Sequence, residues 1–259
     1  MALSIDLTGK VGLVLGVANE HSIAFGCAKA LREAGAEICL TYLNDKARAY
    51  VEPLASMLNS PLLMPCDVRE PQALIDVFQM IKEKFQRLDF VIHSIAWSPI
   101  DDLHGRLTDS SSEGFAEAMD ISCHSLMRVA RLAEPLLRET GGGTILTMSY
   151  LGAERVVPHY NLMGPVKAAL ESSVKYLAAE LGGANIRVHT LSPGPMPTRA
   201  ASGIEKFDEL LEEASSHSPL HRIGSPEDVG AVAAFLVSPL AQNLTGCEIY
   251  IDAGVNLMA

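Results

Sequence analysis

Short continuous apolar runs alternate along this chain with longer stretches in which apolar positions recur every third or fourth residue. The first pattern reads as strands buried on both faces, the second as amphipathic helices. The runs predict strands at Val11–Gly16, Glu37–Tyr42, Leu62–Cys66, Leu88–Ser94, Thr144–Ser149, Ile186–Leu191 and Glu248–Ile251. The periodic stretches predict helices at Ser22–Ala34, Lys46–Leu58, Pro71–Phe85, Glu113–Arg138, Gly164–Leu181, Ile204–Ser215 and Pro226–Val237. Gly35 closes the first helix, and Pro71 opens the third where a missing N–H does no harm. Regular strand–helix alternation predicts an α/β fold with a doubly wound parallel sheet and helices on both faces. No repeat or linker divides the chain, so residues 1–259 are expected to form one domain. Between 194 and 220 prolines crowd the start, an acidic helix follows, and no strand is evident. This segment is expected to form a flap over the site.

Composition narrows the partners. A net charge of -11 over 259 residues would repel nucleic acid and anionic membranes. The apolar runs, such as Val11–Ala18 and Val229–Val237, are too short to span a bilayer. The beginning of the chain shows neither a basic n-region nor an apolar h-region. Cys27, Cys39, Cys66, Cys123 and Cys247 are scattered, which suits a reducing compartment rather than a disulfide framework. The histidines form no HExxH pattern, and no metal is expected. A cytoplasmic protein is the expectation.

The first strand runs into Gly16-Val17-Ala18-Asn19-Glu20-His21-Ser22-Ile23-Ala24-Phe25-Gly26. A glycine there lets the backbone approach a pyrophosphate, and the following helix N-terminus offers free N–H groups. Ser22 is placed to cap that helix and to touch phosphate. The spacing is neither GxGxxG nor GxxxxGK, so an ordinary strand–helix turn would look the same. Asp67, ending the third strand, suits either an adenine amino group or a cap for the helix at Pro71. No arginine follows the second strand directly, which favours NADH, with NADPH left open.

Tyr160 and Lys167 stand seven apart, close to two helical turns, which places both on one face. Pro165 lies between them, so the helix is expected to start near 162–164 with Tyr160 just ahead. A nearby ammonium is expected to lower the phenol pKa. Their surroundings are Thr147-Met148-Ser149-Tyr150-Leu151-Gly152 and Pro158-His159-Tyr160-Asn161-Leu162-Met163-Gly164-Pro165-Val166-Lys167.

With Gly16…Ser22-Ile23-Ala24, Cys66-Asp67-Val68, His93-Ser94-Ile95-Ala96, Ser192-Pro193-Gly194-Pro195 and Asp252-Ala253-Gly254, this pattern resembles the bacterial NADH-dependent enoyl-acyl-carrier-protein reductases. These are a divergent branch of the short-chain dehydrogenases, and the resemblance covers essentially the whole chain. It implies a Rossmann-type domain. Tyr150, Tyr160 and Lys167 would be catalytic, with Tyr150 equally readable as a pocket wall. Gly16, Ser22 and Ile23 would hold the pyrophosphate, and Leu43, Asp67 and Val68 the adenosine end. Ile95 and Lys167 would lie by the nicotinamide ribose and ring. Met196, Pro197, Thr198, Arg199 and Ala200 would cover the nicotinamide and its phosphate, and Ser98, beside Trp97, would fall at the substrate pocket.

The implied reaction is hydride transfer from NADH to the β-carbon of a trans-2-enoyl thioester. The thioester would be carried by acyl carrier protein, or by coenzyme A. A homotetramer is also implied, with Glu113–Arg138 and Gly164–Leu181 as candidate interface helices. A carbonyl-reducing short-chain dehydrogenase would instead want Tyr-x3-Lys, whereas Met163 and Gly164 stand where that lysine would be needed. A nucleotide sensor without catalysis is a third reading, opposed by the intact Tyr160 and Lys167. The predicted helix 204–215 is acidic, so docking of an acidic carrier would fall to Arg199, Arg222 or a neighbouring subunit.

Overall fold

A computed structural model of the protein describes residues 4–199 and 206–258. The strands are β1 (Val11–Leu15), β2 (Glu37–Tyr42), β3 (Leu62–Pro65), β4 (Phe90–His93), β5 (Gly143–Met148), β6 (Ile186–Pro193) and β7 (Glu248–Ile251). All join one parallel sheet in the order β3-β2-β1-β4-β5-β6-β7. The order reverses between β1 and β4, which opens a crevice at their carboxyl ends.

The helices are α1 (Ile23–Glu33), α2 (Asp45–Met57), α3 (Pro71–Phe85), α4 (Ile100–His104), α5 (Ser112–Met119), α6 (Ser125–Glu139), α7 (Met163–Leu181), α8 (Phe207–His217) and α9 (Pro226–Val237). Two buried clusters sandwich the sheet. Leu31, Val51, Leu54, Val229 and Leu236 lie in the cluster that holds α1, α2 and α9. Leu74, Ile81, Leu126, Val129, Leu170 and Val174 lie in the one that holds α3, α6 and α7. Helices α1 and α9 pack backbone to backbone, since a methyl on Gly26 would overlap the Pro226 carbonyl and one on Gly230 the Gly26 carbonyl.

Three differences from the sequence-based expectation bear on the site. The long helix expected at 113–138 is two helices, α5 and α6, joined by a π-turn over Asp120–His124. Ser122 sits in that turn and bonds the backbone of Trp97 twice, accepting from its N–H at 2.8 Å and donating to its carbonyl at 2.9 Å. A single π-turn is one residue out of step with the α-helical period, too short a break to read apart from ordinary scatter in the apolar pattern. Helix α4 was not expected at all, being too short to show a period. The helix expected from Ile204 runs over Phe207–His217 within the described residues, and Ala200 of the expected flap lies outside them.

Candidate active site

Every element of the site sits at the carboxyl edge of the sheet. Gly16 follows β1 with φ +100°, and a methyl there would overlap the Ser94 carbonyl beyond β4. Only glycine allows the β1 turn and the β4 end to meet this closely. Ser22 is buried and precedes α1, but it does not cap the helix as expected. Its hydroxyl turns back to the loop and donates to the Asn19 carbonyl at 2.7 Å. The first turn of α1 therefore has no side-chain cap; the N–H groups of Phe25 and Gly26 bond the Ser22 carbonyl, and those of Ile23 and Ala24 are left for an anion.

At the other end of the crevice Leu43 is exposed and Val68 buried. Asp67 does not cap the helix at Pro71, because that role falls on the backbone of Glu70. Its carboxylate instead accepts from the Arg69 guanidinium at 2.6 Å and from the Arg69 N–H at 3.0 Å. Those bonds, with the Arg69 charge, outweigh burial and hold Asp67 below its usual pKa. The cradle of glycine, uncapped helix and apolar strand ends suits a dinucleotide.

As expected, α7 begins at Met163 with Tyr160 just ahead of it. His159 and Asn161, on either side of Tyr160, both have positive φ, at 63° and 28°. The Asn161 amide donates to the carbonyls of Leu103 and Gly105 at 2.9 and 2.7 Å, which ties this turn to α4. The Tyr160 ring is buried edge-on against Tyr150, with centroids 4.8 Å apart and an interplanar angle of 65°. A methyl on Gly152 would overlap the Tyr160 ring, so that glycine makes room for the phenol.

Lys167 is almost completely buried and donates to the Met148 carbonyl at 2.6 Å. Burial lowers its pKa to about 8, against an opposing pull from the Glu171 carboxyl. The expected fall in the Tyr160 pKa does not occur. Burial, followed by Tyr150 and Glu171, pushes that phenol up, so it stays protonated and has an O–H to donate. Tyr150 is pushed up to about 12, again chiefly by burial.

The remaining expected residues ring the same edge. Ile95 and Ser98 are half-buried beyond β4, and Trp97 is 42% exposed. Met196 is buried beyond β6, Thr198 half-buried, and Pro197 and Arg199 exposed. Ser98 donates to the Pro99 carbonyl at 3.3 Å.

Sequence reading missed two buried groups here. His93, closing β4, lies between Thr147 Oγ1 at 2.9 Å and Ser125 Oγ at 2.8 Å. Ser125 donates its proton to the Ile121 carbonyl at 2.5 Å, so it accepts from His93 Nε2–H, and Nδ1 accepts from Thr147. Burial drives this histidine to a pKa of about 3, so it is neutral. Glu171 is 7% exposed and accepts from the Ser149 hydroxyl. A glutamate four residues after Lys167 was the available signal, but that spacing is too common on helices to single it out.

A doubly wound sheet, a glycine turn at its reversal point and a Tyr-x6-Lys pair define a dinucleotide-dependent oxidoreductase of the short-chain dehydrogenase type. The family model described as enoyl-(acyl carrier protein) reductase matches residues 16–256, and the chain belongs to that family. It is 47% identical over 248 residues to enoyl-[acyl-carrier-protein] reductase [NADH] 1 of Rhizobium meliloti, covering 96% of this chain and 90% of that protein. It is 44% identical over 257 residues to the corresponding NADH enzyme of Nostoc, covering 98% and 99%. Among solved structures, the reductase of Anaplasma phagocytophilum in complex with NAD superposes with a TM-score of 0.94. It shares 44% identity, with 100% of this chain and 98% of that one covered.

Proposed function

We propose that the chain is an NADH-dependent enoyl-acyl-carrier-protein reductase of fatty acid synthesis. The observation that carries this reading is a buried Tyr160, its phenol held protonated by burial, seven residues before a buried Lys167. Bound NADH supplies the hydride that reaches the β-carbon of the enoyl thioester. Gly16 and the uncapped first turn of α1 hold the pyrophosphate, while Leu43, Asp67 and Val68 line the adenosine end. Ile95 and Lys167 would lie beside the nicotinamide ribose, and Met196, Pro197, Thr198 and Arg199, which follow β6, would border the ring.

As negative charge develops on the thioester oxygen, the Tyr160 O–H donates to it. Tyr150 packs against Tyr160 and borders the substrate, and Ser98 lies on the pocket wall. Leu43 at the end of β2 offers a 2′-phosphate nothing, and the nearest following arginine, Arg48, is engaged by Glu52 at 3.1 Å. Both features favour NADH over NADPH.

A homotetramer accords with the exposed Tyr176 on α7. No helix among the described residues is long and apolar enough to cross a membrane, and all five cysteines are free, which supports a cytoplasmic setting.

The test is NADH oxidation, followed at the nicotinamide absorbance band, with a trans-2-enoyl thioester on acyl carrier protein. The coenzyme A ester and a 3-ketoacyl thioester run in parallel. Oxidation with the enoyl carrier-protein substrate is expected. Turnover of the ketoacyl compound alone would refute the reading.

A further inference from the structure

Two adjacent residues at the end of β5 engage two residues one turn apart on α7. The Met148 carbonyl receives the Lys167 ammonium, and the Ser149 hydroxyl donates to the Glu171 carboxyl. The Ser149 N–H is itself bonded to the Leu191 carbonyl at 2.7 Å, so this hydroxyl is offered from an anchored backbone. All four side chains are buried, with Lys167 at 3% and Ser149 at 5% exposure. The result is a two-point clamp between strand and helix. One jaw is the lysine expected at the cofactor, and the other has no role in the chemistry described so far.

We infer that Glu171 is a positioning residue: through Ser149 it fixes the Met148–Ser149 backbone that receives Lys167, and its negative charge keeps that buried ammonium charged and in place. The inference deepens the proposed function and rests on its assignment of Lys167 to the cofactor. A lysine held by one carbonyl in an apolar setting would shed its proton or swing away. Glu171 exerts the largest opposing charge effect on it, against the effect of burial.

Other groups face Glu171 too. Glu248 reaches it from β7 and Glu154 from the turn after β5, and the oxygens of the three carboxyls lie within 4.8 Å of one another. Tyr250 on β7 interacts with both Glu154 and Glu248. Burial, Glu248 and Glu154 raise the pKa of Glu171, and the Ser149 hydrogen bond opposes them. The net effect raises Glu171 to about 7, so its charge is retained above neutral pH.

A double-mutant cycle on the full chain tests this. NADH affinity and steady-state KM and kcat are measured for the wild type, Glu171→Gln, Lys167→Met and the double variant, from pH 6 to 9. Glu171→Gln should raise the KM for NADH about tenfold at pH 8, with a smaller loss in kcat. It should also move the alkaline limb of the affinity profile to lower pH, because the ammonium loses its proton more easily without the carboxylate. Added to Lys167→Met, the same change should do nothing further. Ser149→Ala cuts the same jaw without altering charge and should reproduce the KM effect if Glu171→Gln fails to fold. An equal loss in the Lys167→Met background, or wild-type KM and pH profile in both jaw variants, would overturn the inference while leaving the function standing. Unchanged NADH binding and turnover in Lys167→Met would instead overturn the role given to Lys167, and the inference with it.

Discussion

The Tyr160 ring stands edge-on to Tyr150, its centroid 4.8 Å away, in the space left by the absent side chain of Gly152. Phenol position and phenol chemistry are therefore set by different residues, and can be separated. Tyr160→Phe keeps the ring and its packing but removes the O–H. The expected outcome is a kcat loss of about 100- to 1,000-fold, the usual cost of one oxyanion donor, with little change in thermal midpoint. Steady-state kinetics beside a melting curve check it.

Gly152→Ala should act through geometry alone. The added methyl overlaps the Tyr160 ring, and the flanking backbone at His159 and Asn161 is already left-handed, with little freedom to yield. A displacement of about 1 Å should cost on the order of 100-fold in kcat. NADH affinity, which the proposed function assigns to Gly16, the start of α1 and Lys167 rather than to the phenol, should stay near that of the wild type. Binding titrations and turnover measured on one preparation distinguish the two effects.

Gly16→Ala should do the reverse. Its φ of +100° and its overlap with the Ser94 carbonyl strain the turn, at about 1–3 kcal/mol of stability. Because the proposed cofactor site sets the pyrophosphate against this turn, NADH binding should fall sharply. Calorimetric titration with NADH is the measurement, and unchanged affinity would remove Gly16 from the cofactor site.

The neutral His93 makes stability depend on pH in a definite direction. Its pKa is lowered from 6.5 to about 3 in the folded chain, so between those values the unfolded chain binds more protons. The contribution is complete above pH 6.5 and is lost as pH falls toward 3, with a slope of up to about 1.4 kcal/mol per pH unit. His189, lowered to about 4 by burial and Arg187, adds in the same sense. Urea unfolding should give a lower midpoint at pH 5 than at pH 7, and His93→Gln should flatten that difference. Proton-coupled nitrogen spectra should place the imidazole hydrogen on Nε2.

Much of the fold was legible because its signals are local. The predicted bounds of α3, α9, β2 and β7 match the structure residue for residue, since proline starts and turn residues mark their ends. Helix α7 was placed correctly because Pro165 cannot sit deep in a helix. The Tyr160–Lys167 spacing was equally visible, and so was the Gly16 turn.

What sequence alone determined here is the order of elements, the parallel sheet they must form, and the residue types at the reacting end. Those follow from periodicity, from backbone restrictions at glycine and proline, and from spacing along one chain. Tertiary structure decided the charge states and the supporting contacts. Burial, rather than a neighbouring ammonium, sets the Tyr160 phenol. Ser22 turns away from its helix, Asp67 turns to Arg69, and Glu171 meets Ser149 across 22 positions of sequence. The Ser22 and Asp67 bonds are local, but which of several near partners each side chain takes is settled by the packed loop around it; desolvation and the Ser149–Glu171 contact exist only once the chain has closed on itself.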